Sequence, residues 1–306
     1  MNFLYLLERI RIPGLNEFML GITYFGDEIA FLVAALVLFW CVDKKLGYYI
    51  LSIGFVGTIS NQFLKLWFRI PRPWVLDPNF TILEQAREAA SGYSFPSGHT
   101  QSAVGTFGAL SYSLKNKPIR WICAGIAVLV PFSRMYLGVH TPLDVLVAAA
   151  MAIVLILVFK PIVFGNTKKN MPILLCCMLA VAIAFLCFVE FYQFPADIDP
   201  HNMTSGLKNA YTLLGAICGF LIVYIVDERC IQFEVKAVWW AQVLKVVIGL
   251  GLVLAVKSGL KTPLESLFGT LPGRGIRYFL IVIVAGILWP LSFRWFTGLG
   301  KKKVEE

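Results

Sequence analysis

An all-α polytopic membrane protein is the fold class that the sequence predicts, and three observations predict it. Of its 306 residues, 58% are hydrophobic and 15% charged, whereas a soluble domain carries about a quarter charged residues; mean hydropathy is +0.75. Apolar runs recur from Ile29 almost to the C-terminus, each near the ~20 residues that a helix needs to cross ~30 Å of hydrocarbon. Lys and Arg gather in alternate short connections, as membrane topology requires. This composition excludes a disordered chain, a collagen-like fibre, a secreted disulfide scaffold and a soluble enzyme. The seven cysteines lie in or beside apolar runs and form no disulfide framework that the spacing would announce. The net charge of +9 is spread over loops and not gathered on one face, so no nucleic-acid partner is expected.

Taken in order, residues 1–14 mix Glu8, Arg9 and Arg11 with Phe3, Leu4, Leu6, Leu7 and Ile10, the pattern of an amphipathic surface helix and not of a cleavable signal. Residues 15–25 are apolar but short and carry Glu17, so 1–25 reads as an interfacial N-terminal segment. About nine spans follow, at 26–42, 46–70, 98–114, 118–138, 142–164, 171–192, 206–227, 238–260 and 275–297. Lys44 and Lys45, then Lys115, Lys117 and Arg120, then Lys160, Lys168 and Lys169, then Arg229 and Lys236, and last Lys301 to Lys303 mark the cytoplasmic connections. Nine spans then put the N-terminus outside and the C-terminus inside. The longest connection, 71–96, falls outside, and Ile82–Ala90 within it reads as a short amphipathic helix over the membrane; a loop of this length is more often functional than idle.

Three clusters stand at outer helix ends. The first is Lys65, six residues, then Arg72-Pro73. Pro71 and Pro73 stop the second span and present Arg72 on extended backbone. The second is Pro96-Ser97-Gly98-His99, in which Ser97 suits a helix cap, Gly98 lets a ligand approach, and the first N–H groups of the helix favour an anion. The third is Ser133-Arg134, five residues, His140, three residues, Asp144. Four residues make about one helical turn, so Asp144 can orient the His140 imidazole and raise its nucleophilicity. Each cluster alone has an ordinary reading: interface anchors, a helix cap, a structural His–Asp pair. Together, Lys65, Arg72 and Arg134 supply positive charge, and Ser97 and the helix start supply donors, for the oxygens of one phosphoryl group. His140, with a carboxylate behind it, reads as the nucleophile, and His99, without one, as the general acid.

In this order, Lys-x6-Arg-Pro, Pro-Ser-Gly-His and Ser-Arg-x5-His-x3-Asp resemble the three-part signature of the type 2 phosphatidic acid phosphatase (PAP2) superfamily, with all eleven defining identities matched. The resemblance implies a catalytic transmembrane core over 26–164 with six helices, followed at 165–306 by about three additional C-terminal helices. It implies a phosphatase without metal or other cofactor, working through a phosphohistidine. His140 would attack phosphorus, Asp144 would orient it, and His99 would protonate the leaving oxygen and later activate water. Lys65, Arg72, Ser97, Gly98 and Arg134 would bind the phosphate. The outer loops offer no His or Cys cluster at ligand spacing, and His201, in a loop with Asp197 and Asp199, has no partner motif.

The expected partner is a phosphorylated lipid in the bilayer, either a lipid phosphate or a polyprenyl pyrophosphate such as undecaprenyl pyrophosphate. Trp67, Trp74 and Tyr93 near the site and the interfacial N-terminal segment favour it. The alternatives are a glucose-6-phosphatase-like hydrolase of a soluble ester, a lipid phosphotransferase, and a carrier that binds phosphate without turnover. Compact loops favour a bacterial plasma membrane, with the site on the extracytoplasmic side. Lys208 and Lys245 lie in the C-terminal third, where no catalytic cluster is evident, and the sequence does not fix an oligomeric state.

Overall fold

The computed structural model describes residues 1–87, 90, 92–196 and 198–299; they are helical, with no strand among them. In chain order the helices are α1 (Asn2–Arg9), α2 (Pro13–Thr23), α3 (Glu28–Val37), α4 (Lys44–Phe68), α5 (Pro73–Leu76), α6 (Gly98–Ala103), α7 (Ala109–Ser113), α8 (Lys117–Tyr136), α9 (Pro142–Phe164), α10 (Thr167–Phe191), α11 (Pro200–Val226), α12 (Trp239–Gly259), α13 (Lys261–Phe268), α14 (Thr270–Ile283) and α15 (Phe293–Gly298). A π turn, Val104–Gly108, joins α6 to α7; such insertions recur at functional sites.

Among the described residues six helices are long and apolar enough to cross a membrane, namely Lys117–Tyr136, Pro142–Phe164, Thr167–Phe191, Pro200–Ile231, Trp239–Phe268 and Thr270–Gly298. The pair Pro13–Gly26 and Glu28–Val42, bent by 55°, makes a seventh when counted as one broken span. The expected spans at 46–70 and 98–114 are helical but fall outside this set. The reasons differ: α4 carries Lys44, Lys45, Asn61, Gln62 and Lys65, whereas the run that opens at Gly98 ends at Ser113, too short to span, and starts with His99, Thr100, Gln101 and Ser102. These helices carry the polar side chains that the site needs. In place of the expected helix over Ile82–Ala90 the described residues show a 3-10 turn at Glu84–Ala86 and 3-10 geometry again at Ala90, with residues 88 and 89 outside the described residues.

The chain divides into two compact units. The first comprises Met1–Leu32, Ile50–Pro161 and Phe191–Gly206. In it, Met19 of α2 packs with Tyr136, Leu137 and Val139 at the end of α8 and with Ala86 and Ala90 of the long loop. Arg11 ties the same parts together, donating to the carbonyls of Tyr136 (3.0 Å) and Thr81 (2.8 Å). The Arg11 bonds satisfy carbonyls that the end of α8 and the loop leave open. At the far end of α9, Lys160 donates to the Tyr112 carbonyl at 2.9 Å. Asp144 and Lys160 are sixteen residues apart on α9, which separates them by about 24 Å.

The second unit comprises Val33–Tyr49, Ile162–Glu190 and Leu207–Glu306. Asp227, in the π turn that ends α11, accepts from Lys44 Nζ at 2.8 Å and from the Phe233 N–H at 3.3 Å. Lys45 and Lys168 line a 250 Å³ cavity beside it. Lys245, fully buried, donates to the Val235 carbonyl at 3.1 Å and sits over the Phe293 ring at 4.2 Å. Lys208 is exposed.

Candidate active site

His140 and Asp144 are held by a helix end and a helix start. After Tyr136 the chain turns at Gly138, whose φ of +83° a residue with a side chain rarely adopts; its N–H bonds to the Met135 carbonyl and that of Val139 to the Arg134 carbonyl. The turn delivers His140 to the start of α9, with 2% of its surface exposed. Asp144, one turn on and 1% exposed, places Oδ2 3.5 Å from His140 Nδ1. The same oxygen accepts from the Thr141 N–H at 2.7 Å and from the Ser94 hydroxyl at 2.6 Å. Ser94 Oγ also lies 3.5 Å from His140 Nδ1. Three contacts thus fix the carboxylate that faces the ring.

Arg72 Nη1 lies 2.9 Å from His140 Nε2 and 3.5 Å from Nδ1. The Asp144 carboxylate that faces Nδ1 favours the tautomer with its proton there, which leaves a lone pair on Nε2. Arg72 stands on extended backbone (φ −71°, ψ 156°) between Pro71 and Pro73, as the sequence predicts. It also donates to the carbonyls of Gly92 and Val139, each at 2.9 Å. Burial pushes its guanidinium down to about 10, which still leaves it charged at neutral pH. His140 is driven well below the usual histidine range, first by burial and then by the positive charges of Arg72, Arg134 and Lys65. A buried imidazole among cations stays neutral.

The remaining motif residues surround this centre. Lys65, near the end of α4, donates to the Tyr93 carbonyl at 2.6 Å. Ser97 caps α6 by accepting from the Thr100 N–H at 3.4 Å, as expected. Its own N–H is taken by the Asp144 carbonyl at 3.1 Å, so that amide ties α6 to α9 and is not a phosphate donor. Gly98 has open space where a side chain would stand, with Asn61 Oδ1 at 3.9 Å. Arg134, fully buried near the end of α8, donates through Nη1 to Thr23 Oγ1 at 2.8 Å, while its Nε and Nη2 have no hydrogen-bond partner among the described residues. Two orphaned guanidinium donors in a buried position are what an anion would satisfy.

His99 departs from the expectation. It was expected to have no carboxylate, yet Asp27 Oδ1 lies 2.7 Å from its Nε2, at ion-pair distance though outside hydrogen-bond geometry. Sequence reasoning missed Asp27, Thr23 and Ser94, because partners of this kind follow no spacing rule relative to the motifs they serve. The one available signal was the acidic pair Asp27-Glu28 at the break between two apolar stretches. Asp199 caps α11, accepting from the N–H groups of His201 and Asn202 at 2.7 and 3.0 Å; Asp197 lies outside the described residues. Among the described residues no group of three or more His, Cys, Asp or Glu side chains is placed to hold a metal ion.

A buried neutral histidine with its proton directed to a carboxylate, faced by fixed cations, is equipped to attack phosphorus. Comparison with known proteins places the chain among phosphate hydrolases. The PAP2 superfamily matches residues 45–168, and the family described as PAP2 superfamily phosphatase, transmembrane extension, matches residues 211–302. The chain is 34% identical to phosphatidylglycerophosphatase B of Bacillus subtilis, over 49% of this chain and 76% of the relative. It is 31% identical to undecaprenyl-diphosphatase BcrC of the same organism, over 46% and 72%. It is 25% identical to sphingosine-1-phosphate phosphatase 1 of Mus musculus, over 89% of this chain and 66% of the relative. No solved structure matches at a significant level. The chain belongs to the PAP2 superfamily and is a multi-pass membrane phosphate hydrolase.

Proposed function

We propose that this protein hydrolyses a lipid phosphate or a polyprenyl pyrophosphate at the outer face of the plasma membrane, through a phosphohistidine on His140 and without a metal. The observation that carries the mechanism is the His140 ring itself, whose Nδ1 faces the Asp144 carboxylate at 3.5 Å while Arg72 stands against the ring at 2.9 Å from Nε2. In this reading the Nε2 lone pair forms the P–N bond as the bond from phosphorus to the leaving oxygen breaks. That oxygen keeps the electron pair and takes a proton from His99. Water then gives a proton to His99 while its oxygen attacks phosphorus, and the P–N pair returns to Nε2. Lys65, Arg72 and Arg134 bear the charge of the equatorial oxygens, with Ser97 and Gly98 at the helix start beside them. Such cations do the work that a metal ion does in other phosphatases, and they would repel one.

The names of the relatives, which include a phosphatidylglycerophosphatase and an undecaprenyl-diphosphatase, support a lipid substrate. So do the exposed Trp67 and Phe68 at the site end of α4 and Leu143 and Leu146 on α9, apolar surfaces on which a tail could lie. The basic connections at Lys115 to Arg120 and at Lys160 stand at the end of the first unit that is opposite the site, which supports an outward-facing site.

The test is phosphate release by the purified protein in EDTA from undecaprenyl pyrophosphate, phosphatidate, phosphatidylglycerophosphate, sphingosine 1-phosphate and glucose 6-phosphate, run beside His140→Ala. Release from a lipid that vanishes in the variant is the expected result. Turnover of glucose 6-phosphate alone would overturn the lipid reading, and a strict need for added divalent cation would overturn the metal-free one.

A further inference from the structure

The residues around His99 come in part from the bend between α2 and α3, which precedes the stretch matched by the PAP2 superfamily, 45–168. Three consecutive features of that bend serve the site. Thr23 accepts from Arg134 at 2.8 Å. Gly26 is buried against His99, so closely that a Cβ there would lie 2.8 Å from the His99 carbonyl oxygen and 2.9 Å from its Cβ and from Val130 Cγ1; only glycine fits. Asp27 follows in extended backbone (φ −70°, ψ 151°), and this points its carboxylate at His99 Nε2, 2.7 Å away. The next residue, Glu28, is exposed.

We propose that Asp27 is the positioning residue of the acid–base His99, fixing the ring through Nε2 so that Nδ1 faces the leaving oxygen and stabilising the imidazolium that must give up its proton. The proposal rests on the reading of His99 and His140 given above. Its physical basis is charge. The charged groups that act on His99 are Asp27 from the bend, Arg134 from α8 and Arg72 from the loop before α5, and burial and both arginines oppose a positive ring. Asp27 is the one anion among the three. It works against burial and the two arginines, whose combined effect holds the ring below the usual histidine range, and so favours the protonated ring in the first half-reaction; after transfer the neutral ring can accept a proton from water. An alkoxide leaving oxygen needs that proton far more than a phenoxide does.

The experiment compares wild type, Asp27→Asn, Asp27→Glu and Glu28→Gln as full-length purified protein. Each is assayed on phosphatidate, an alkyl ester, and on p-nitrophenyl phosphate, an ester of a far more acidic alcohol, across pH. We expect Asp27→Asn to lose about 10- to 100-fold in kcat on phosphatidate and less than about threefold on the aryl ester, the range in which partners of a functional histidine act. The alkaline limb of kcat/KM should move to lower pH, because the imidazolium loses its counter-charge. Asp27→Glu should keep the ratio of the two substrates near wild type, and Glu28→Gln should change neither rate. Equal losses on both esters with an unmoved alkaline limb would mean that Asp27 only holds the fold, and would overturn the proposal; so would a ratio as disturbed in Asp27→Glu as in Asp27→Asn. His140→Ala run in parallel keeps the two readings apart, since its activity decides the nucleophile whatever Asp27 does.

Discussion

In the unit that contains His140, two buried arginines and the half-buried Lys65 converge on one imidazole, and two donors of Arg134 have no partner among the described residues. In the other unit, Asp227 is met by Lys44 and the Phe233 N–H and Lys245 by the Val235 carbonyl, and buried Arg277 is paired with Glu265 at 3.5 Å although its Nε has no hydrogen-bond partner among the described residues. Both arrangements take ionic groups out of water, at a cost of several kcal/mol per ion before compensation. A brace settles that cost within the chain. A site of this kind leaves part of the compensation to the substrate, and what separates Arg134 from Lys245 is that its open donors stand beside His140.

Variants can break this comparison. His140→Ala should reduce phosphate release by about four or more orders of magnitude, as removal of a covalent nucleophile does. In wild type the acid limb of kcat/KM should fall well below the usual histidine range, because burial and the surrounding cations hold His140 neutral; a pH–rate profile checks it. Asp144→Asn should cost less, about 10²- to 10⁴-fold in kcat, since Ser94 and Thr141 still hold the side chain but the proton on Nδ1 loses its acceptor. Arg134→Ala should lower kcat by about 10²- to 10³-fold by removing two donors from the transition state, with the melting temperature the control for loss of the Thr23 bond. Asp227→Ala should do the reverse. It leaves Lys44 without its partner and should lower stability by about 3 kcal/mol, with turnover per folded molecule within about twofold of wild type.

The helical architecture was legible because the signals that specify it are local. Apolar length and turn residues placed α9 at Pro142–Phe164, and Pro71 and Pro73 announced the extended backbone at Arg72. The pairing of His140 with Asp144 was legible for the same reason, four residues being about one turn. Ser94 comes from a long loop and Asp27 from a bend more than seventy residues before His99; only tertiary packing joins them to the histidines. The expected helix at Ile82–Ala90 failed differently. Arg11 and the Leu137 carbonyl engage that loop backbone from outside, which leaves a 3-10 turn where the residue pattern alone suggested regular helix.

The bend at Thr23–Asp27 also sets a limit on transplantation. A chimera that moved residues 45–168 into another membrane scaffold would carry every residue of the three-part signature and still leave behind Thr23, Gly26 and Asp27. Arg134 would lose the partner of Nη1 and His99 the carboxylate at its Nε2. The smallest portable catalytic module of this enzyme therefore begins no later than the end of α2.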